Sequence, residues 1–347
     1  MATIALGSRM IGDDHLPLII AEVGINHEGE LGKALQLVDA AVAAGAECVK
    51  FQCHITGSEM IRTDMKPGDI SDEPLWDIIE RCELTQDEEM EVKRHCEDKG
   101  VIYLCTPFSR EASDRLEAMD VVGFKIGSGE CNNIPLLQHV ARKGRPIILS
   151  TGMNDLESVR ASVAAIRETG CPFMLMHCTS AYPTPYEHVR LGAMQELRQA
   201  FDVPVGLSDH SLGIYAGLGA VALGASAVEK HFTISRQWPG PDNPISIEPN
   251  ELADLIHGTD ALFKARGGSK TVLPIERPVI EFAYASVVTI ADVRAGQRLT
   301  TENVWVKRPG TGPILAKDLD SVLGRVARKE LAAGVQLSRD DFEPATA

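Results

Sequence analysis

Two lysines interrupt apolar runs: Lys50 in C-V-K-F-Q and Lys125 in G-F-K-I-G. An ammonium buried without a partner is costly, so an anion held between the two is the economical explanation. Ser128, Gly129, Ser150, Thr151 and Gly152 add hydroxyl donors and backbone that allows close approach. That composition suits phosphate or carboxylate recognition. His210 and His231 end two further apolar runs. Neutral imidazoles on neighbouring strands can face one divalent ion such as Mn2+, Fe2+, Co2+ or Zn2+, with water or substrate oxygen filling the open positions. Glu22 and Glu130 are candidate carboxylates for acid–base work or hydroxyl binding; the alternative is a salt bridge to Lys50 or Lys125. Asp242 lies in W-P-G-P-D-N, a loop sequence.

These residues need elements to carry them. A recurring unit of apolar strand, polar tip and helix runs along most of the chain. The predicted strands are Leu18–Gly24, Cys48–Gln52, Val101–Thr106, Phe124–Ser128, Pro146–Thr151, Phe173–Thr179, Pro204–His210 and Ala227–Thr233. Between the first two, Leu31, Leu35, Val38 and Val42 recur at helical spacing and Gly45 follows as a stop. After the fifth, Asn154 and Glu157 suggest a capping box. Eight such units predict a closed (β/α)8 TIM barrel, with the chemistry at the carboxyl ends of the strands. An open doubly wound sheet would call for a Gly-rich fingerprint after the first strand, and G-I-N-H-E-G lacks its spacing.

Domain bounds follow from the change in texture: a barrel over 1–265, a linker over 266–284 beginning R-G-G-S-K-T-V-L-P, and a small module over 285–347. Within the module, Ala295–Val304 parallels Ala333–Phe342, and each copy follows a β-prone run, Ser286–Val293 or Arg325–Leu331. Each Ala-Gly reads as a turn, and each following Thr or Ser as the cap of a short helix. The net charge of −15 argues against a general nucleic-acid binder. The eight cysteines lie between Cys48 and Cys178 without a C-x-x-C pair, which predicts reduced, packed thiols. No apolar stretch is long enough to span a membrane, and the start of the chain lacks a signal segment, so the expectation is a soluble cytoplasmic protein with no membrane partner.

Taken together, several segments resemble the sialic acid synthase family: I-A-E-V-G-I-N-H-E-G at Ile20–Gly29, V-K-F-Q at Val49–Gln52, T-P-F-S at Thr106–Ser109, K-I-G-S-G-E at Lys125–Glu130, L-S-T-G-M at Leu149–Met153, H-C-T-S-A-Y-P-T-P at His177–Pro185, G-L-S-D-H at Gly206–His210 and E-K-H-F-T at Glu229–Thr233. V-K-R-P-G at Val306–Gly310 is similar to the family's antifreeze-like (SAF) module, and G-S-G-E-C-N-N and F-A-Y-A-S-V-V resemble the bacterial N-acetylneuraminate synthases.

The resemblance implies a carbon–carbon bond-forming transferase. It would condense phosphoenolpyruvate with open-chain N-acetylmannosamine, with C–O cleavage, to N-acetylneuraminate and phosphate. It implies that Lys50, Thr106, Lys125, Ser128, Ser150 and Ser180 hold phosphoenolpyruvate, although many bacterial members carry Asn at the position of Ser180. Glu22, Gln52, Glu130, Tyr182 and Asp242 would face the sugar. His210 and His231 would bind the metal, Mn2+ first, with Mg2+ or Co2+ as alternatives. Arg308 would reach the sugar in the partner's barrel, making a domain-swapped homodimer. Glu22, Lys50, Lys125 and His210 are the expected catalytic residues. Legionaminic and pseudaminic acid synthases share this frame and use 6-deoxy diacetamido sugars; loops around Gly57–Glu73 and Tyr182–Glu187 are expected to decide the choice. Two other readings are an ice- or carbohydrate-binding protein, which predicts an eroded barrel mouth, and a Schiff-base aldolase, which fits two lysines among anion-binding hydroxyls less well.

Overall fold

The computed structural model describes residues 3–68 and 71–344. Asp69 and Ile70, inside the expected sugar-selecting loop, lie outside that range, as do residues 1–2 and 345–347. The chain divides into two compact units, 1–267 and 268–347.

The first unit opens with an antiparallel hairpin, β1 (Thr3–Leu6) and β2 (Arg9–Gly12). Eight parallel strands follow: β3 (Leu18–Gly24), β4 (Cys48–Cys53), β5 (Ile102–Pro107), β6 (Phe124–Ile126), β7 (Ile147–Ser150), β8 (Phe173–Cys178), β9 (Val205–Asp209) and β10 (Ala227–His231). They close in sequence order, β10 pairing with β3, so the unit is the (β/α)8 TIM barrel expected.

The near-continuous apolar runs are explained by two cores. Side chains at one parity, among them Ile19, Val49, Phe124, Leu149 and Leu207, pack outward under the helices. Those at the other parity, Leu18, Ile20, Cys48, Leu104, Ile148, Met174 and Ala227, fill the interior. Ile4, Leu6 and Ile11 of the hairpin join this inner cluster and plug the amino-terminal end of the barrel. The hairpin is not among the strands expected from the sequence.

Two helix details differ from expectation. Helix Leu31–Ala43 buries Ala34, Leu37, Val38 and Ala41, while Leu31, Leu35 and Val42 are only partly covered. The small alanines face the sheet and let the helix approach, turning the apolar stripe by about a residue. Helix Leu156–Arg167 is capped by Asp155, which accepts from Ser158 N–H, and not by Asn154. The Asn154 amide instead donates to the carbonyls of Gly152 (2.7 Å) and Ser128 (3.3 Å), tying two strand-end loops together.

All eight cysteines are buried and free. No helix among the described residues is long and apolar enough to cross a membrane.

In the second unit, the stretch expected as a linker carries a 3-10 turn, Pro274–Glu276, and a helix, Arg277–Ala283. Beyond it, β11 (Ser286–Thr289) pairs antiparallel with β12 (Val304–Lys307). The internal repeat has a structural counterpart. Val293 and Leu331 exchange backbone hydrogen bonds, and the Thr300 and Ser338 N–H groups donate to the side chains of Asn303 and Asp341 three residues on. Ser338 caps a 3-10 turn where a short helix was expected.

Candidate active site

The carboxyl ends of the barrel strands surround a cavity of about 520 Å³. Its walls follow from the period of two along each strand. Continuing the apolar inner positions upward, β3 presents Glu22, β4 Lys50, β5 Thr106, β6 Lys125, β7 Ser150, β8 Cys178, β9 Ser208, and β10 Glu229 and then His231. The apolar interior thus ends in a polar ring at the mouth.

Lys50 and Lys125 share a carboxylate of the protein itself. Glu229 Oε1 lies 3.1 Å from Lys125 Nζ and 3.7 Å from Lys50 Nζ, and it accepts from Ser208 Oγ at 3.2 Å. Lys50 also lies 2.8 Å from Glu22 Oε2 and donates to Thr106 Oγ1 at 3.2 Å. All four charged groups are almost fully buried. Burial pushes the Glu22 carboxyl up, and neighbouring Glu229 adds to this against the pull of Lys50. For Glu229, burial also acts upward but Lys125 and Lys50 outweigh it and hold it at about 2. Burial lowers Lys125, whereas in Lys50 the two carboxylates overcome burial and raise it. One carboxylate is firmly ionised and the other takes up a proton more readily. That separation is how two carboxyls come to serve different roles.

Glu229 was missed as a site residue because it stands in E-K-H, where Lys230 is equally conspicuous. Lys230 points outward and pairs with Asp209 at 2.8 Å. Strand parity is the signal that separates them. Asn26 and His27 hold loops: Asn26 donates to Phe232 O and Ser246 Oγ, and His27 Nδ1 accepts from Gly29 N–H.

One side of the mouth carries hydroxyls. Gly152 N–H donates to Ser128 Oγ at 3.0 Å. A Cβ at Gly152 would collide with Ser180 Oγ and come within 2.7 Å of Ser128 Oγ, so the close approach of these hydroxyls requires glycine. Ser150 Oγ, Glu229 Oε2 and His231 Nδ1 are buried without a hydrogen-bond partner among the described residues. Such atoms cost about 1–3 kcal/mol each unless a ligand meets them.

On the other side, His210 and His231 stand with ring centroids 5.4 Å apart, and Tyr182 packs on His210 at 4.1 Å. His210 Nδ1 faces the Thr179 carbonyl at 3.0 Å, which fixes Nε2 as the free nitrogen. Burial and the neighbouring His210 keep His231 neutral, well below the ordinary range. Two imidazoles with available nitrogens fit a divalent ion. Among the described residues no three His, Cys, Asp or Glu side chains form a complete metal cage, so water and substrate would supply the other ligands. Asp242 Oδ2 lies 3.7 Å from His231 Nδ1; burial and Glu22 raise its carboxyl to about 6. Gln52 donates to Glu22 Oε1 at 3.0 Å, and a Cβ at Gly24 would touch Glu22, Gln52 and Asp242 together.

Not every expected residue converges here. Glu130 accepts from Asn133 and lines a neighbouring pocket of about 320 Å³ that shares Phe108 with the mouth. Arg308 is exposed in the second unit, in the loop after β12.

An eight-stranded parallel barrel with a polar ring at its carboxyl mouth defines a TIM-barrel protein with its site in the usual place for that fold. The particular family is equally clear: residues 37–271 match the NeuB family and 284–343 the SAF domain, and the chain belongs to the NeuB family. It is 37% identical to the N,N'-diacetyllegionaminic acid synthase of Campylobacter jejuni, covering 90% of this chain and 96% of that one. It is 33% identical to the human N-acetylneuraminate-9-phosphate synthase, covering 86% and 85%. The crystal structure of an N-acetylneuraminic acid synthetase from Leptospira borgpetersenii superposes with a TM-score of 0.73 at 34% identity, covering 80% of this chain and 95% of that one.

Proposed function

We propose that the chain condenses phosphoenolpyruvate with an open-chain N-acetylated sugar, N-acetylmannosamine, to give N-acetylneuraminate and phosphate. The observation that carries this is the convergence of Lys50, Lys125, Glu22, Glu229 and the His210–His231 pair on one barrel mouth, beside the hydroxyls of Ser128, Ser150 and Ser180. Lys50 and Lys125 hold the donor's carboxylate and phosphate, with Thr106 and the serines as further donors. C3 of the donor attacks the aldehyde carbon of the sugar, whose oxygen takes up a proton. Glu22 takes a proton from the water that adds to the cationic C2, and the resulting tetrahedral adduct collapses to the C2 ketone with C–O cleavage and loss of phosphate. Glu229 keeps both lysines ionised and oriented. Tyr182, Gln52 and Asp242 bind the sugar, and Glu130 reaches it from the adjoining pocket. His210 and His231 would hold a divalent ion, Mn2+ first and Mg2+ or Co2+ after it, which supplies Lewis acidity toward the aldehyde oxygen.

The protein acts as a domain-swapped homodimer in which Arg308 enters the partner's barrel. The exposed apolar side chains Ile275, Val279 and Phe282 in the second unit support a covered state. Buried free thiols suit a cytoplasmic location.

A second reading, a 6-deoxy diacetamido sugar as acceptor, is favoured by the likeness to the Campylobacter synthase. Phosphate release measured with each sugar in turn separates the two. Turnover with N-acetylmannosamine at least tenfold above the diacetamido sugar supports the first, the reverse order the second, and no release with either overturns the condensation.

A further inference from the structure

The second unit contains a pocket of about 280 Å³ whose wall carries three arginines, Arg325, Arg328 and Arg339, with Ser321, Phe342 and Glu343. Local sequence explains why they meet. Ala327 bridges to Phe342, and the Arg328 N–H donates to the Asp341 carbonyl, laying the end of the chain beside the strand-like run that holds Arg325 and Arg328. Arg325 Nε donates to the Ser321 carbonyl, which fixes that guanidinium at the pocket wall. The acid best placed to neutralise the group is already engaged. Asp341 is 2.7 Å from Lys329 and accepts from Ser338 N–H, and Lys329 draws its carboxyl below the ordinary value. Among the described residues none of the three arginines has a carboxylate within ion-pair distance, and Glu343 at the wall is the single acid facing the pocket.

Charge on the larger scale points the same way. Residues 1–267 hold 23 basic and 39 acidic groups, residues 268–347 hold 11 and 10, so the arginines gather on the one unit that does not repel anions. A pocket of this size admits a small anion and not a long one. Planar guanidinium forks match phosphate oxygens two at a time, which a single lysine cannot do.

We infer that this pocket binds a compact phosphate-bearing anion, with a lining drawn wholly from the second unit. Arg328 and Arg339 grip the phosphate oxygens, Arg325 braces them, and Glu343 accepts from a hydroxyl of the same molecule.

Calorimetric titration of the full chain with inorganic pyrophosphate tests this in the Lys125→Ala background, where the mouth has lost one of its anion-holding lysines. One site per chain is expected, weakened at least tenfold by adding R328Q and R339Q, both exposed and therefore harmless to folding. Equal affinity with and without the arginine changes, or no binding to either chain, overturns the site. Citrate binding as tightly as pyrophosphate overturns the phosphate assignment. R328Q/R339Q in the otherwise unaltered chain is expected to keep kcat, so loss of this site and loss of condensation are read separately.

Discussion

Glu229 lies between Lys125 and Lys50, and its carboxylate sets the electrostatics of the mouth. Replacing Lys125 with Ala removes a positive charge from the proposed donor site, and turnover is expected to fall about a thousandfold. Lys50 remains beside Glu229, so the folding cost stays below the roughly 3–5 kcal/mol of an uncompensated buried charge. Near-normal turnover in that variant, with native circular dichroism, would remove Lys125 from the mechanism. The depressed carboxyl of Glu229 also predicts a pH signature. Its folded-state value of about 2 lies below the ordinary 4.5, so the ionised form stabilises the fold above pH 4.5 and that contribution fades as pH falls toward 2. Glu229→Gln is expected to be less stable than the parent at pH 7 and to lose less stability between pH 4.5 and 2, as read from urea midpoints. Equal losses over that window would count against the assignment. At the imidazole pair, dialysis against a chelator should silence turnover and Mn2+ restore it; activity indifferent to chelator would dismiss the metal role.

Strand spacing, not side-chain chemistry alone, brings these groups together. Gly206 of β9 shows how tight the spacing is, since a Cβ there would lie 2.5 Å from the Ala227 carbonyl oxygen and 3.1 Å from its carbon. The neighbour is strand backbone and cannot swing away, so Gly206→Ala should cost about 1–3 kcal/mol, seen as a lower urea midpoint at unchanged m-value. An unchanged midpoint would mean that the β9–β10 pairing gives way more easily than this geometry implies. The same strands explain what could be read from sequence. Strands buried on both faces are written as apolar runs, so all eight were visible, β3 to the residue. The hairpin Thr3–Gly12 was not, because two four-residue strands carry too few alternations to stand out. The phase of helix Leu31–Ala43 is hard to read from sequence because large residues mark a stripe more loudly than the buried Ala34 and Ala41. Glu130 stands at a strand end like the mouth residues, and the turn after β6 carries it into the adjoining pocket, which no pattern in the sequence shows.

At the scale of the whole molecule, the proposed sharing of sites predicts complementation. An Arg308→Ala chain and a His210→Ala chain, each inactive alone, should regain part of the activity when mixed and allowed to exchange subunits. A confirmed mixed dimer without activity would refute sharing. The plug formed by Ile4, Leu6 and Ile11 has its own consequence. It turns the barrel into a blind well, and Glu229 sits one inward-facing position deeper than His231. Whatever settles on the well's floor must therefore arrive before a companion seated near Tyr182 and depart after it, so a compulsory order of addition and release would be imposed by shape, whatever the relative affinities.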